Sequence, residues 1–240
     1  GASDLIFDQS LCSLVTHWTR NKISLWNTIS EDTLIEAVML CLSNVWTLRI
    51  GFMCALLSIH LSRRLFECLA IQTFSPRSIS LHNLLLMWAY YIFMPVALLV
   101  DLAAKFTKVA LDRDIAGLTM PSLVSIATGL ELFLMASVFQ FAAHRTLAKI
   151  RSPSSGNSKY AYSVPKGGLF DFVSCPHYLA EMLIYASFAL VSGGTPSSLL
   201  LLTFVCITMV SQGIKTHHWY LQTFNKEKLS GRKAIIPLLL

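Results

Sequence analysis

The stretch Lys166–Tyr185, KGGLFDFVSCPHYLAEMLIY, decides how this chain is read. It opens on two glycines and then runs into an apolar segment that carries His177, Tyr178, Glu181 and Tyr185. An ionisable side chain at membrane depth costs about 3 kcal/mol even on lenient insertion scales, so such residues are functional candidates by default. Pro176 is placed to open a helix, because the first turn needs no N–H from it. From there His177 and Glu181 stand at i, i+4, while Tyr178, Glu181 and Tyr185 stand at i, i+3 and i+7, which draws the polar groups into one stripe. A stripe of this kind also serves as hydrogen-bonded glue inside a bundle, with no ligand involved.

The rest of the chain places that segment in a membrane. Of 240 residues, 54% are hydrophobic and only 13% charged, and the mean hydropathy is +0.59. This is too apolar for a soluble domain of that length. Stretches long enough to cross a hydrocarbon core of about 30 Å run over residues 44–62, 81–100, 121–143, 170–192 and 198–214. The expected fold is all-α, a polytopic membrane helix bundle with about five transmembrane helices over residues 44–240. Residues 1–43 are expected to form a lumenal or interfacial segment, with a capped helix starting at Ser30. The chain begins with Gly1 and shows no signal-peptide pattern, so it is read as a fragment or as lacking its true N-terminus.

The net charge of +6 does not point to nucleic acid, because the basic residues sit between apolar spans and not on one soluble face. With a cytoplasmic C-terminal tail, the loops 63–80 and 144–166 fall on the same side and collect most of the Lys and Arg, as the positive-inside rule requires. The six cysteines form no CxxC pair and read as small apolar side chains; a Cys12–Cys41 bridge is the one pairing left open.

Polar residues recur at the ends of several spans. His60, Arg64 and Glu67 share one helical face, for which the plain reading is a snorkelling basic rim with a surface ion pair. Gln140 and His144 lie one turn apart, and Lys215, His217, His218 and Tyr220 end the last span. Together with the stripe on the fourth span, they predict one pocket facing the cytoplasm. No G-x-G-x-x-G, P-loop, G-x-S-x-G or H-E-x-x-H occurs, and one His217–His218 pair cannot supply the histidine boxes of a membrane di-metal oxidase. The residues by themselves predict a polytopic enzyme or transporter and no specific reaction.

Five blocks carry a resemblance: LSRRLFECLAIQTFS (61–75), FQFAAH (139–144), PKGGLFDFVSCPHYLAEMLIYASFA (165–189), HHWYLQTF (217–224) and RKAIIPLLL (232–240). Together they resemble the steroid 5-alpha reductase family, most closely its polyprenol reductase branch of dolichol synthesis. The resemblance implies about seven spans in full-length members, two of them missing here, and an endoplasmic reticulum membrane. It implies NADPH-dependent reduction of the alpha-isoprene double bond of a polyprenol or polyprenal, a long-chain polyisoprenoid lipid, in support of protein N-glycosylation. Gln140, His144, Lys166, His177, Glu181, His217 and Tyr220 would contact the cofactor. Glu67 stands where steroid-reducing members have an active-site Tyr. It would be a protonated acid near the substrate oxygen, with Tyr178 as the second choice. Ser163 departs from the Arg usual in the family, which shifts recognition of the cofactor's phosphate to Lys166 or Lys159. Rival readings are a steroid or trans-2-enoyl-CoA reductase of the same family, a membrane methyltransferase, and a non-catalytic scaffold or transporter. The methyltransferase is disfavoured because its His-Pro order is reversed in CPHYLAE.

Overall fold

The computed structural model describes residues 45–72, 80–111, 119–150, 163–224, 229 and 231–237, all within the unit Val45–Leu240. The expectations for Ser30, Cys12, Cys41 and Lys159 lie outside these residues. Among the described residues the architecture is all-α, with five α-helices. They are α1 (Val45–Phe66), α2 (Leu81–Leu111), α3 (Met120–Ile150), α4 (Pro176–Ser192) and α5 (Pro196–Thr223). A π-turn, Glu67–Ile71, prolongs α1, and Gln72 N donates to Glu67 O at 2.8 Å.

Among the described residues, four helices are long and apolar enough to cross a membrane: α1 with its π-turn, α2, α3 and α5. At 31 residues each, α2 and α3 reach about 46 Å and continue past the spans at 81–100 and 121–143. A span read from hydropathy ends where charged residues begin to recur, whereas helical hydrogen bonding continues through them. The fourth span differs from its expected bounds in the other direction. Helix α4 starts only at Pro176 and has 17 residues, because residues 168–171 form a 3₁₀ turn and Val173 pairs with Lys233 in a parallel bridge.

None of the residues of α4 is exposed. It packs chiefly against α3, then α5, and also touches α1. This position is what permits a polar stripe on an apolar helix, since each polar group can find a protein partner instead of lipid. The other helices turn large apolar side chains outward, among them Phe93 and Val100 of α2, Leu134 and Val138 of α3, and Leu200 and Ile207 of α5.

α3 and α4 run antiparallel in a regular register. Phe133 stacks on Phe188 with ring centroids 5.9 Å apart, Gln140 bonds Glu181, and the rings of His144 and His177 lie 5.7 Å apart. The close approach depends on Gly129, where a Cβ would stand 2.7 Å from Val191 Cγ2 and 3.1 Å from Ser187 O.

At the far end of α4 the chain turns through Gly193 and Gly194, whose φ angles of 74° and 70° are in the left-handed region that glycine adopts without strain. The buried Arg49 of α1 reaches this turn. Its guanidinium donates to Leu190 O at 3.1 Å, Val191 O at 2.6 Å and Ser125 Oγ at 3.0 Å. Those carbonyls end a helix and carry the negative end of its dipole, so a cation is favoured there. Asp101 of α2 does the complementary work at the start of α5, where its Oδ2 accepts from Ser197 N at 2.9 Å.

Two substitutions test this packing. Gly129→Val should lower stability by about 1–3 kcal/mol through overpacking, seen as an earlier thermal transition of the detergent-solubilised protein. Arg49→Leu should also lower the transition. Arg49→Lys should restore only part of it, because an ammonium cannot make the fork to two carbonyls and a hydroxyl.

Candidate functional site

The opposite end of the bundle collects the polar side chains. Glu67 has no exposed surface, and its carboxylate accepts from Arg63 and, at 2.6 Å, from Arg64. His144 Nδ1 lies 2.6 Å from Glu67 Oε2 and 2.9 Å from Arg64 Nη1. A carboxylate paired with two guanidiniums only accepts, so the consistent assignment puts the hydrogen on Nδ1, donated to Glu67. Arg63 also donates to Gln140 Oε1, and Gln140 Nε2 donates to Glu181. Arg63 thereby fixes which way the Gln140 amide points, since the flipped amide would set N–H against guanidinium. His60 Nε2 lies 3.8 Å from the other oxygen of Glu181. The side chains of α1, α3 and α4 thus form one connected network.

A cavity of about 650 Å³ opens beside it. Its polar side is formed by Arg64, Gln140, His144, His177, Tyr178 and Glu181, and its apolar side by Phe204, Val205 and Met209 of α5. Tyr90 and Tyr91 of α2, with Thr208 and Gln212 of α5, complete the lining. Tyr90 donates to Tyr185 at 2.5 Å, which ties α2 to α4. Tyr185 is buried outside the lining, edge-on to His60 and Phe188.

The fold therefore brings Gln140, His144, His177, Tyr178 and Glu181 to one cavity, but not every expected residue joins them. Glu67, expected as a protonated acid against the substrate, lies outside the lining and is enclosed by Arg63, Arg64 and His144. The surface ion pair of the snorkelling reading is corrected: Glu67 is buried, because α1 continues helically through Arg63 and Arg64 and turns them inward. These two arginines are thus not loop charges. Lys166, His217 and Tyr220 also lie outside the lining. Lys166 is exposed, His217 Nδ1 bonds Ser174 Oγ at 2.7 Å, and Tyr220 is buried with Val164 and Leu229.

Sequence reasoning missed Arg49, Arg63 as a bridging residue, Tyr90, Tyr91, Thr208 and Gln212. Two adjacent tyrosines inside an apolar span, and Thr208 with Gln212 at i, i+4, were signals that could have found the last four.

Comparisons with known proteins bear on the family of this chain. The family model described as 3-oxo-5-alpha-steroid 4-dehydrogenase matches residues 112–240. A polyprenal reductase of Caenorhabditis elegans is 32% identical over 189 residues, covering 77% of this chain and 59% of that protein. A polyprenal reductase of Xenopus laevis is 35% identical over 193 residues, 77% of this chain and 57% of that protein. Polyprenal reductase 1 of Arabidopsis thaliana is 31% identical over 210 residues, 79% of this chain and 64% of that protein. The chain thus spans about three fifths of the length of these curated relatives. The matched region contains Gln140, His144 and the whole of α4 and α5, and on this evidence the chain belongs to the steroid 5-alpha reductase family.

Proposed function

We propose that this chain carries the membrane reductase core of an NADPH-dependent polyprenal reductase, which saturates the alpha-isoprene double bond next to the aldehyde on the way to dolichol and so supports protein N-glycosylation. The observation that carries this reading is the two-sided cavity. Hydrogen-bonding groups held by the Glu67–Arg63–Gln140–Glu181 network share the lining with Phe204, Val205 and Met209 of α5. Such a cavity suits a polar carbonyl head attached to a hydrocarbon tail. The relatives are named for the aldehyde, and chemistry favours it, because a carbonyl makes the conjugated carbon electron-poor whereas an allylic alcohol offers no such sink. The long-chain polyisoprenoid substrate would enter from the surrounding lipid.

The residues present fit the head of the cofactor. Glu181 and His144 supply acceptors for amide and ribose groups, while Gln140 and His177 supply further polar contacts beside them. Arg64 is the only Arg or Lys among the described residues of the lining and is engaged by Glu67, so groups outside the cavity would have to hold the phosphates. There Lys166, His217 and Tyr220 are the proposed contacts, with Lys166 taking the part that the Arg replaced by Ser163 would have played. Bound NADPH supplies a hydride. Tyr178, which lines the cavity, is the proposed hydrogen-bond donor to the aldehyde oxygen; it would keep its proton and stabilise the enolate charge that a hydride added at the beta carbon would create. The single proton of the reaction would go to the alpha carbon from water, which restores the carbonyl and leaves hydroxide. Glu67 acts through others, holding Arg64 and His144 in place. The proposed setting is the endoplasmic reticulum membrane with a cytoplasmic C-terminal tail, where the basic loops lie.

The deciding experiment expresses the full-length form of this chain in microsomes that lack their own reductase, supplies NADPH with polyprenal, polyprenol or an enone steroid, and follows a gain of two hydrogens by mass spectrometry. Gain on polyprenal supports the proposal. Gain on polyprenol alone or on the steroid alone overturns the substrate assignment, and no gain on any overturns the activity. With polyprenal, Tyr178→Phe should lower kcat by about 100-fold or more while KM changes little. Glu67→Gln should lower kcat and the thermal transition together, because breaking a buried ion pair costs about 3–5 kcal/mol. A group that served only as an acid would lower kcat and leave the transition in place.

A further inference from the structure

We propose that the segment Gly231–Pro237 is a strap that sets the position of Tyr178, with Ile235 as the positioning residue and Gly213 as its socket. The inference rests on the reading of Tyr178 as the donor to the substrate oxygen. The strap lies along the residues that lead into α4. Lys233 N donates to Phe172 O at 3.0 Å, Ser174 N to Lys233 O at 2.8 Å, and Cys175 N to Ala234 O at 2.9 Å. Arg232 fastens it further by donating to Pro165 O at 2.8 Å. Pro176 opens α4 directly after this pairing, so the strap holds the backbone from which His177 and Tyr178 project.

Ile235 is fully buried with Cys175 and Ala234, and Tyr178, Leu179, Met182 and Val210 pack against that cluster. It occupies the space over Gly213 of α5. A Cβ on Gly213 would overlap the Ile235 side chain and would stand 3.5 Å from Tyr178 Cδ2. Tyr178 belongs both to this cluster and to the cavity lining. Its ring therefore has the strap on one side and the cavity on the other. A rigid backing matters here because a shift of about 1 Å in a reacting group costs as much as 100-fold in rate.

The test uses the full-length protein. Ile235→Ala should lower kcat for polyprenal by about 10- to 100-fold, with KM for NADPH little changed. In a Tyr178→Phe background the same substitution should cost nothing further, because the group it positions is gone. Gly213→Ala should reproduce the loss by displacing Ile235, and the double variant Gly213→Ala/Ile235→Ala should recover part of it, since the smaller side chain makes room for the added methyl. A fluorotyrosine at position 178 gives a readout that needs no turnover: one sharp fluorine resonance should split or broaden in Ile235→Ala. An equal loss of kcat with and without the Tyr178 hydroxyl, or an unchanged resonance, would overturn the proposal. A wild-type protein that fails to reduce polyprenal overturns the functional reading instead, and the resonance still decides whether the strap positions the ring.

Discussion

Glu181 sits on a helix without an exposed residue, and much of the structure follows from what its carboxylate requires. A carboxylate drawn mostly out of water, with 17% of its side chain left accessible at the cavity, needs donors at close range. The Gln140 amide supplies one donor and His60 stands beside the other oxygen. Gln140 is in turn held by Arg63, and Arg63 by Glu67. Networks of this kind are stable when complete and costly when broken. The register of α1, α3 and α4 therefore cannot slip by a turn without orphaning several buried polar groups at once.

The other end of the bundle is secured by different means. Arg49 binds the last carbonyls of α4 while Asp101 caps α5, so a cation and an anion each meet the helix end of opposite polarity. With α4 held at both ends, its apolar middle packs against Phe133, Met53 and Leu98. α2 touches α5 only sparingly, and it is beside this thinner seam that Tyr90, Tyr91 and Phe204 meet the cavity. The closer packing thus lies on the polar side of the cavity, and the sparser packing between α2 and α5.

Glu67 and Tyr178 show how one sequence pattern ends in two different surroundings. Both were candidates for donating to a substrate oxygen, because each is a polar residue near the end of an apolar span. Three neighbours, two of them guanidiniums, fill the hydrogen-bonding positions of Glu67 and remove it from the cavity. Tyr178 remains at the cavity surface with apolar support behind it. Likewise, the polar residues at the end of α5 were expected at the same membrane level as the stripe. His217 bonds Ser174 just before the start of α4, beside the stripe but outside the cavity lining.

Composition and periodicity alone determined that this is a helical membrane bundle, and the i, i+4 spacings determined that His177 with Glu181, and Gln140 with His144, share helix faces. Those are local facts, set by the apolar content of each span and by 3.6 residues per turn. The partners across helices were decided only by the tertiary structure. No spacing within α1 says that Arg63 turns inward to Gln140, and no hydropathy window shows that α4 is surrounded, that Arg49 reaches Val191 or that Ile235 backs Tyr178. Each of these depends on the register between elements far apart in the chain. That register is chosen by the joint satisfaction of buried charges and by close approaches at Gly129 and Gly213, and not by any one segment.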